Sequence, residues 1–326
     1  MKGKYHVVVQ NNRLRYEFDI KRNITIIRGD SATGKTTLIN LLESASNLGE
    51  SSGIEVVCEK SCVVLQGYMW KTFIENTHDS IVFIDEEFEY LRSVEFSKLV
   101  KQSDNYFVIV SRYDFPNLPY SVDEIYEIHS SGKYHDMKRI YNEFRKIYSV
   151  DEWYDKVEPK KIVLEDSNSG YEFFDKICEG TNIVCESAGG KSNLVSIINH
   201  SDEVEVLVIA DGAAIGAEMN ELYQLMMKNP NVKCYLPESF EWLILKSGLI
   251  DGKEVQEILG APENYIECQE YFSWERFFTR LLIDKTEGTY LAYSKSSLNT
   301  VYLQEKERRA ILEVMDGISI EDSVND

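Results

Sequence analysis

Short apolar runs alternate along this chain with segments in which apolar residues recur every three or four positions. Continuous apolar runs such as Ile24–Arg28 and 106–110 predict strands that are buried on both faces of a parallel sheet. The spacing of Leu38, Leu41 and Leu42 predicts a helix shortly after the first of these runs. In the first half the predicted strands are 5–10, 14–18, 24–28, 63–65, 80–84 and 106–110, and the predicted helices are 37–45 and 94–100.

A second α/β pattern follows Glu158 and Pro159, which are typical of a linker. Its predicted strands are 162–164, 182–185, 204–210 and 232–235, and its predicted helices are 171–177, 193–198 and 216–227. Strands that alternate with helices predict the fold class α/β, with two open, mostly parallel α/β domains. The predicted division is a first domain at 1–132, a helical linker at 133–160, a second domain at 161–316 and an acidic tail at 317–326, which we expect to fray.

Charge narrows the classes of function. The 326 residues include 35 Lys and Arg and 55 Asp and Glu, and the formal net charge is −20. The chain therefore lacks the basic surface of a generic DNA-coating protein, and any nucleic-acid site must be local or must carry metal ions. The basic and aromatic segment 133–161 is a local candidate. Its nearly balanced charge favours instead an amphipathic helix packed between the domains.

The sequence carries no signal for secretion or for a membrane span. The apolar run at 7–9 is too short for a signal peptide, and no run approaches the roughly 18 apolar residues that a span needs. We therefore expect a cytoplasmic protein with no membrane partner. Cys58 and Cys62 have no second cysteine or histidine pair beside them, so we expect reduced thiols rather than a zinc site.

One segment carries a phosphate-binding motif. Residues 29–36 match G-x-x-x-x-G-K-[ST] and lie between a predicted strand and a predicted helix. The two glycines allow successive N–H groups to point at phosphate oxygens, and the helix N-terminus adds its positive dipole end. Lys35 would contact the β- and γ-phosphates, and Thr36 would bind Mg²⁺. The predicted nucleotide-binding residues are Gly29, Asp30, Ser31, Ala32, Thr33, Gly34, Lys35, Thr36 and Thr37.

The second nucleotide motif is an apolar strand that ends in acid. The run 80–84 is followed by Asp85, which would hold Mg²⁺, and by Glu86, which would orient or deprotonate the attacking water. The alternative is a buried strand that ends in a solvated acidic loop. Ser111 and Arg112 follow the next predicted strand, and they are candidates for sensing the γ-phosphate.

The Asp–Glu ending resembles the Walker B motif of ABC-type ATPases. The two motifs are close together in this chain, and no LSGGQ-like signature or helical insertion lies between them. The resemblance therefore implies a pared-down P-loop ATPase without the usual signature-to-nucleotide dimer, and it argues against a transporter motor. No guanine-reading N-K-x-D segment is present, which favours ATP as the nucleotide.

In the second domain, acidic residues follow the predicted strands. Glu165 and Asp211 come directly after two of them, and Glu241 lies on a predicted helix after a third. Carboxylates at the C-terminal ends of parallel strands meet where such sheets bind ligands, and their oxygens suit Mg²⁺ or Mn²⁺. In a nuclease such metals polarise the phosphate and generate hydroxide. The alternatives are an ordinary turn at Asp211 and a solvated helix face at Glu241.

This pattern resembles the Toprim domain. It is most similar to the Toprim domains that are fused to or partnered with P-loop ATPases in the overcoming-lysogenization-defect (OLD) nucleases and related anti-phage systems. The resemblance implies a metal site made by Glu165, Asp211 and Glu241, with Glu165 and Asp211 also catalytic. The Gly-Gly-Lys sequence at 189–191 resembles a turn of such domains, although an ordinary turn before a helix is equally compatible with it.

One position departs from the Toprim pattern. The second Asp of the D-x-D motif is Ala213 in this chain, so one metal ligand is missing. Glu186 and Glu218 are candidates for replacing it. The loss favours a weaker site that holds a single metal ion.

Two functions follow from these motifs. The first is an ATP-binding and ATP-hydrolysing protein whose nucleotide state controls a Mg²⁺-dependent nuclease acting on DNA or tRNA, in a homo-oligomer or with a partner protein. The second is a nucleotide-gated regulator or binding module whose Toprim-like domain has lost catalysis. A small-molecule kinase ranks third because no arginine-rich lid follows the P-loop.

Overall fold

The computed structural model describes residues 1–29, 34–85, 88–130, 139–148, 157–199 and 205–320. It has the α/β class, with a mixed sheet of nine strands and a parallel sheet of four. Two compact units contain these sheets. The first unit is 1–148 with 261–273, and the second unit is 149–260 with 274–326.

The first unit contains most of the predicted elements and several that the pattern did not predict. The predicted hairpin, the three buried strands and the two helices are confirmed. Its elements are β1 Tyr5–Gln10, β2 Leu14–Ile20, β3 Ile24–Arg28, α1 Lys35–Leu48, β4 Glu55–Val57, β5 Ser61–Val64, α2 Trp70–Asn76, β6 Ser80–Ile84, α3 Val94–Gln102, β7 Tyr106–Val110, β8 Ile125–Ser130 and β9 Ile140–Lys146.

The nine-stranded sheet has a parallel part and an antiparallel part, in the order β4-β1-β2-β9-β8-β3-β7-β6-β5. The five strands from β8 to β5 pair in parallel, whereas β4 with β1, β1 with β2 and β8 with β9 pair antiparallel. The prediction of a mostly parallel sheet therefore describes only the part that contains β3. The antiparallel strands make the whole sheet mixed.

The helical linker predicted for 133–160 is wrong for residues 140–146, which form β9. This strand pairs in parallel with β2 and antiparallel with β8. The ring of Phe144 stacks on that of Phe18 at 3.9 Å between centroids. The alternating charges of the segment fit a helix face or a strand equally well, and the neighbouring strands decide between them. The remainder of the predicted linker lies mostly outside the described residues.

Helix α1 lies inside the curve of the nine-stranded sheet. Strands β4 and β5 are the two edges of the sheet, yet only residues 58–60 connect them. Helix α1 contacts β1, β4 and β5, so the sheet wraps around it. Its buried face packs into one cluster with side chains from both parts of the sheet, namely Val7, Val9, Phe18, Leu38, Ile39, Leu41, Leu42, Ile81, Phe83 and Val108.

The short segment 261–273 belongs to the first unit, although the predicted boundaries place it in the second domain. The side-chain amide of Asn23 donates to the carbonyl of Cys268 at 3.1 Å. The backbone N–H of Gly3 donates to the carbonyl of Glu263 at 2.7 Å. Cys268 is 1 % exposed and is part of the core around α1. The chain therefore leaves the first unit and returns to it.

The second unit is built on the four parallel strands, in the order β11-β10-β12-β13. Each element predicted after residue 158 is present, with ends displaced by up to three residues. The elements are β10 Lys161–Leu164, α4 Ser169–Cys178, β11 Val184–Ser187, α5 Leu194–Asn199, β12 Val206–Ile209, α6 Met219–Lys228, β13 Val232–Tyr235, α7 Phe240–Lys246, α8 Lys253–Gly260, α9 Trp274–Thr286 and α10 Glu305–Leu312.

The start of the predicted acidic tail is not frayed. The N–H of Val157 donates to the carbonyl of Gly317 at 2.8 Å, and the N–H of Ser319 donates to the carbonyl of Val157 at 2.9 Å. Residues 321–326 lie outside the described part of the chain. Across the described ranges, no helix is both long and apolar enough to cross a membrane.

Replacement of Leu38 by Ala tests the packing of α1. Leu38 is fully buried in the cluster, so Leu38→Ala should lower the free energy of unfolding by about 2–5 kcal/mol through lost burial and a residual cavity. Leu48 on the same helix is 60 % exposed, and Leu48→Ala should change it by no more than about 0.5 kcal/mol. Urea unfolding followed by circular dichroism measures both. Equal effects would contradict the placement of α1 at the centre of the sheet.

Candidate functional site

The parallel register brings three of the predicted nucleotide-site segments together at the carboxyl ends of strands in the first sheet. Strand β7 lies between β3 and β6. Ile27 is paired with Val110, and Ile84 is paired with Ile109. The residues that follow these strands, Gly29, Ser111 and Asp85, therefore lie near the same edge.

The two glycines of the motif have the backbone conformations that its geometry requires. Gly29 has φ 133° and Gly34 has φ 92°, both in the region that favours glycine. Gly34 is the N-cap of α1, and its carbonyl accepts the N–H of Leu38 at 3.0 Å. The hydroxyl of Tyr16 donates to the same carbonyl at 3.0 Å. Residues 30–33 lie outside the described residues, so the ring of amides there stays a prediction.

Lys35 is the first residue of α1 and is directed back toward the end of β3. Its side chain is buried, and its ammonium group donates to the carbonyl of Gly29. Thr36 and Thr37, the next two residues, lie at the start of the helix, and Thr37 is exposed. Burial raises the pKa of the Tyr16 hydroxyl, and its hydrogen bond with Thr37 acts in the opposite direction. The beginning of α1 is therefore fixed by contacts to β2 and β3.

The residues after β6 and β7 have different environments. Asp85 is half-buried at the end of β6, and Glu86 lies outside the described residues. Ser111 is 1 % exposed, and its hydroxyl accepts the N–H of Tyr113 at 2.9 Å. Arg112 is exposed. The Ser111 hydroxyl thus shapes the turn after β7, whereas Arg112 lies at the surface beside it.

A buried ionic cluster, which the sequence pattern did not single out, lies at the end of β3. The guanidinium of Arg28 pairs with Asp114 and donates to the Tyr120 hydroxyl at 3.2 Å. Arg28 is only 8 % exposed, so these contacts replace its hydration. The cluster connects the residue before the phosphate motif to the loop after β7. An arginine directly before the motif was its only signal in the sequence.

In the second unit the structure brings Glu165 and Asp211 together at the carboxyl ends of β10 and β12. The N–H of Asp211 donates to Glu165 Oε2 at 3.1 Å. Burial raises the pKa of Glu165 to about 7. Burial also raises the pKa of Asp211 well above its usual value, and the negative charges of Glu275, Glu165 and Glu241 add to the effect. Both carboxyls thus favour the protonated form more than solvated acids do.

Glu241 lies on α7 at the same end of the sheet and is 2 % exposed. The hydroxyl of Tyr293 donates to Glu241 Oε1 at 2.9 Å, and Ser169 is hydrogen-bonded to Tyr293 at 2.5 Å. The solvated helix face considered for Glu241 is therefore wrong. The Tyr293 hydroxyl and a nearby cation stabilise the buried carboxylate, and Ser169 holds the Tyr293 hydroxyl in place.

The nearby cation is Lys295, a residue that the sequence analysis missed. Its ammonium lies 3.8 Å from Glu241 Oε1 and pairs with Glu275, and it offsets part of the negative charge around Asp211. Lys295 and Tyr293 follow α9, and Glu275 lies in the first turn of that helix. These residues come from a part of the chain without a strand–acid pattern, so only the folded structure reveals them.

A small cavity opens between these side chains. Its volume is about 30 Å³, and its walls include Glu165, Asp211, Glu241, Tyr293 and Lys295. That space is large enough for a water molecule or an ion of similar size. Oxygen donors suit Mg²⁺, but no group of three or more Asp, Glu, His or Cys side chains in the described ranges has an arrangement that could hold a metal. In this arrangement Lys295 supplies a positive charge beside the carboxylates.

The two carboxylates considered as substitutes for the missing aspartate lie elsewhere. Glu186 pairs with Lys161 at 2.7 Å, and Glu218 is 3.4 Å from the ammonium of Lys191. Neither lines the cavity. Ala213, at the D-x-D position, is buried. Among the described residues, neither candidate brings a third carboxylate to Glu165 and Asp211.

The Gly-Gly-Lys turn lies beside Glu165. Gly189 and Gly190 have φ 64° and 136°, and the N–H of Gly190 donates to the carbonyl of Glu165 at 2.7 Å. The ammonium of Lys191 donates to the carbonyl of Ala214 at 3.1 Å. The turn therefore connects the ends of β10 and β11 to the segment after β12, which is a structural role.

No protein-family model matches this chain, and no curated protein and no solved structure matches it. The likeness to P-loop ATPases and to Toprim nucleases therefore depends on the short motifs of the sequence.

Replacement of Gly34 by Ala tests the close approach at the start of α1. A Cβ there would lie 2.9 Å from the hydroxyl oxygen of Tyr16, which is itself buried, and φ would be strained. Gly34→Ala should therefore cost about 1–3 kcal/mol of unfolding free energy.

Gly49→Ala is the matched control for this prediction. Gly49 also has a positive φ, of 55°, but a Cβ added there would meet no atom within 4 Å. Gly49→Ala should therefore lower the free energy of unfolding by less than Gly34→Ala does. In a Tyr16→Phe background, which lacks the hydroxyl, the effect of Gly34→Ala should be smaller. Thermal unfolding measures these effects, and equal losses at the two glycines would refute the contact.

Proposed function

We propose that the chain binds ATP with Mg²⁺ at residues 29–37 and hydrolyses it. In this proposal the nucleotide state controls the second unit, a Toprim-like, Mg²⁺-dependent nuclease of the kind found in anti-phage systems. The observation that carries the proposal is the direction of the Lys35 ammonium, which returns to the Gly29 carbonyl across the phosphate motif. In P-loops the lysine of this motif contacts the β- and γ-phosphates, so this direction supports the proposal.

The surroundings of Lys35 support this function. The ammonium now donates to a neutral carbonyl, and a phosphate oxygen is a stronger, charged acceptor. Thr36 lies in the first turn of α1. Asp85 directly follows β6, whose carboxyl end lies on the same side of the sheet as that of β3. Both would hold Mg²⁺, which neutralises phosphate charge when bound, and Glu86 would orient or deprotonate the attacking water. Ser111 and Arg112 stay candidates for sensing the γ-phosphate.

Calorimetry of the full chain tests nucleotide binding. Mg²⁺–ATP should bind saturably, and Lys35→Ala should weaken it about 10- to 100-fold because a charge-assisted hydrogen bond is lost. Lys71 on α2 is the matched control, since its side chain is 47 % exposed and pairs with Glu95. Lys71→Ala should bind like the parent. Absence of heat for the parent, or unchanged binding in Lys35→Ala, would refute the proposal; GTP in a parallel titration reports base preference.

The geometry of Glu165 and Asp211 supports the nuclease part. The two side chains lie at the crevice end of the parallel sheet, where ligands of α/β folds bind. A carboxyl whose pKa is about 7, as at Glu165, can both donate and accept a proton near neutral pH. In this proposal Glu165, Asp211 and Glu241 would hold the metal, which would polarise the phosphate of the substrate, and Glu165 would also transfer a proton.

A second candidate function is favoured by Lys295. Its ammonium neutralises part of the acidic cluster, Ala213 removes a carboxylate, and no third carboxylate joins Glu165 and Asp211 in a metal-holding arrangement among the described residues. An acidic pocket that carries its own cation is stable without a metal. In this alternative the second unit is a binding or regulatory module, gated by the nucleotide that the first unit holds.

A cleavage assay separates the two candidates. The full chain is incubated with plasmid, linear DNA or tRNA, with Mg²⁺ or Mn²⁺, and with or without ATP. A nuclease should cut at least one substrate, and Glu165→Gln and Asp211→Asn should abolish cutting. Glu179→Gln, at the exposed end of α4, is the control that should retain it. If the parent is inert on all substrates while ATP still binds, the regulatory function is the one supported.

A further inference from the structure

Two cysteines flank the place where the edges of the nine-stranded sheet meet. Strand β4 ends at Val57, and Cys58 follows it directly. Cys62 is the second residue of β5, the opposite edge strand. We call residues 58–62 the seam. The chain connects the two edges only through the seam, so the two thiols lie on either side of the closure of the sheet around α1.

Both thiols contact the same peptide residue within the seam. The N–H of Lys60 donates to the sulfur of Cys58 at 3.4 Å, and the thiol of Cys62 donates to the carbonyl of Lys60 at 3.8 Å. The two thiol groups also interact with each other. A spacing of three intervening residues does not by itself predict this contact. The fold places the two sulfur atoms next to each other.

The seam joins two cysteines whose thiols are both partly accessible. Cys58 and Cys62 are half-buried; Cys185 is half-buried too, but the neighbouring Cys178 is buried, as are Cys234 and Cys268. The hydrogen bond from Cys62 lowers the pKa of Cys58 to about 6, and burial acts in the opposite direction. A thiolate is the attacking species in thiol–disulfide exchange. Cys58 therefore combines partial access, an ionisable sulfur and an adjacent thiol.

We propose that Cys58 and Cys62 form a reversible dithiol–disulfide site that is oxidised by small-molecule disulfides such as oxidised glutathione. The Cys58 thiolate attacks one sulfur of the oxidant, forms a mixed disulfide and releases one glutathione thiolate. Cys62 loses its proton and attacks the Cys58 sulfur, and this releases the second glutathione. The protein gives up two protons and two electrons, and the oxidant's sulfur–sulfur bond is reduced to two thiols.

The disulfide would fix the seam in its folded arrangement. Helix α1 contacts both β4 and β5, the strands on either side of the seam. A cross-link there restricts the unfolded chain, although the closed loop is short and the gain is modest. Oxidation should therefore raise the thermal midpoint of unfolding by a few degrees, and reduction with a dithiol should reverse the shift. This inference does not depend on nucleotide binding or on nuclease activity.

Peptide mapping of the full chain tests the proposal. The reduced protein is incubated with oxidised glutathione at neutral pH, alkylated and digested, and the peptides are identified by mass spectrometry. The expected product is a peptide with Cys58 and Cys62 joined and two hydrogens lost, which dithiothreitol restores. Alkylation of both cysteines after oxidation, a bridge between other cysteines, or a glutathione adduct that persists on Cys58 would each overturn the proposal.

Two variants define the order of the steps. In Cys62→Ser the resolving thiol is missing, so glutathione should accumulate on Cys58. In Cys58→Ser no adduct should form at Cys62 at a comparable rate. Cys185→Ser is the matched control, since Cys185 is half-buried beside Cys178 in the second unit, and it should oxidise at the seam like the parent. An adduct on Cys62 in Cys58→Ser that forms as fast as the parent reacts would reverse the assigned roles and refute the proposed step.

Discussion

Burial of the apolar face of α1 is the interaction on which the first unit depends. The helix packs against the antiparallel strands on one side and the parallel strands on the other, so a single core unites two kinds of sheet pairing. Because α1 begins at Lys35, the same packing fixes where the phosphate motif meets the helix. The sheet curves around the helix, and its two outermost strands, β4 and β5, are connected by only three residues.

The strongest local patterns predicted the centre of the first sheet correctly. Strands β3, β6 and β7 are almost continuous apolar runs and are buried on both faces. Such runs can be predicted as buried strands without knowing which strands lie beside them. Strand β9 shows the opposite case. Its alternation of charged and aromatic residues is compatible with two structures, and the stacking of Phe144 on Phe18 selects the strand. That choice depends on partners far away in the sequence.

In the second unit, the parallel-strand rule predicted that Glu165 and Asp211 would meet, and the hydrogen bond between them agrees with it. The rule could not predict Lys295, Glu275 or Tyr293, because they follow no strand. These residues decide the electrostatics of the cavity, since Lys295 neutralises carboxylates that would otherwise repel one another. The motifs therefore predicted where the pocket lies, whereas its balance of charges could be seen only in the folded structure.

The return of residues 261–273 to the first unit imposes an order on the making of this protein. Asn23 bonds to Cys268, and Cys268 fills a position in the core of the first unit. Both contacts require a segment that is synthesised after most of the second unit. The first unit therefore cannot complete its core until residues 261–273 have been synthesised.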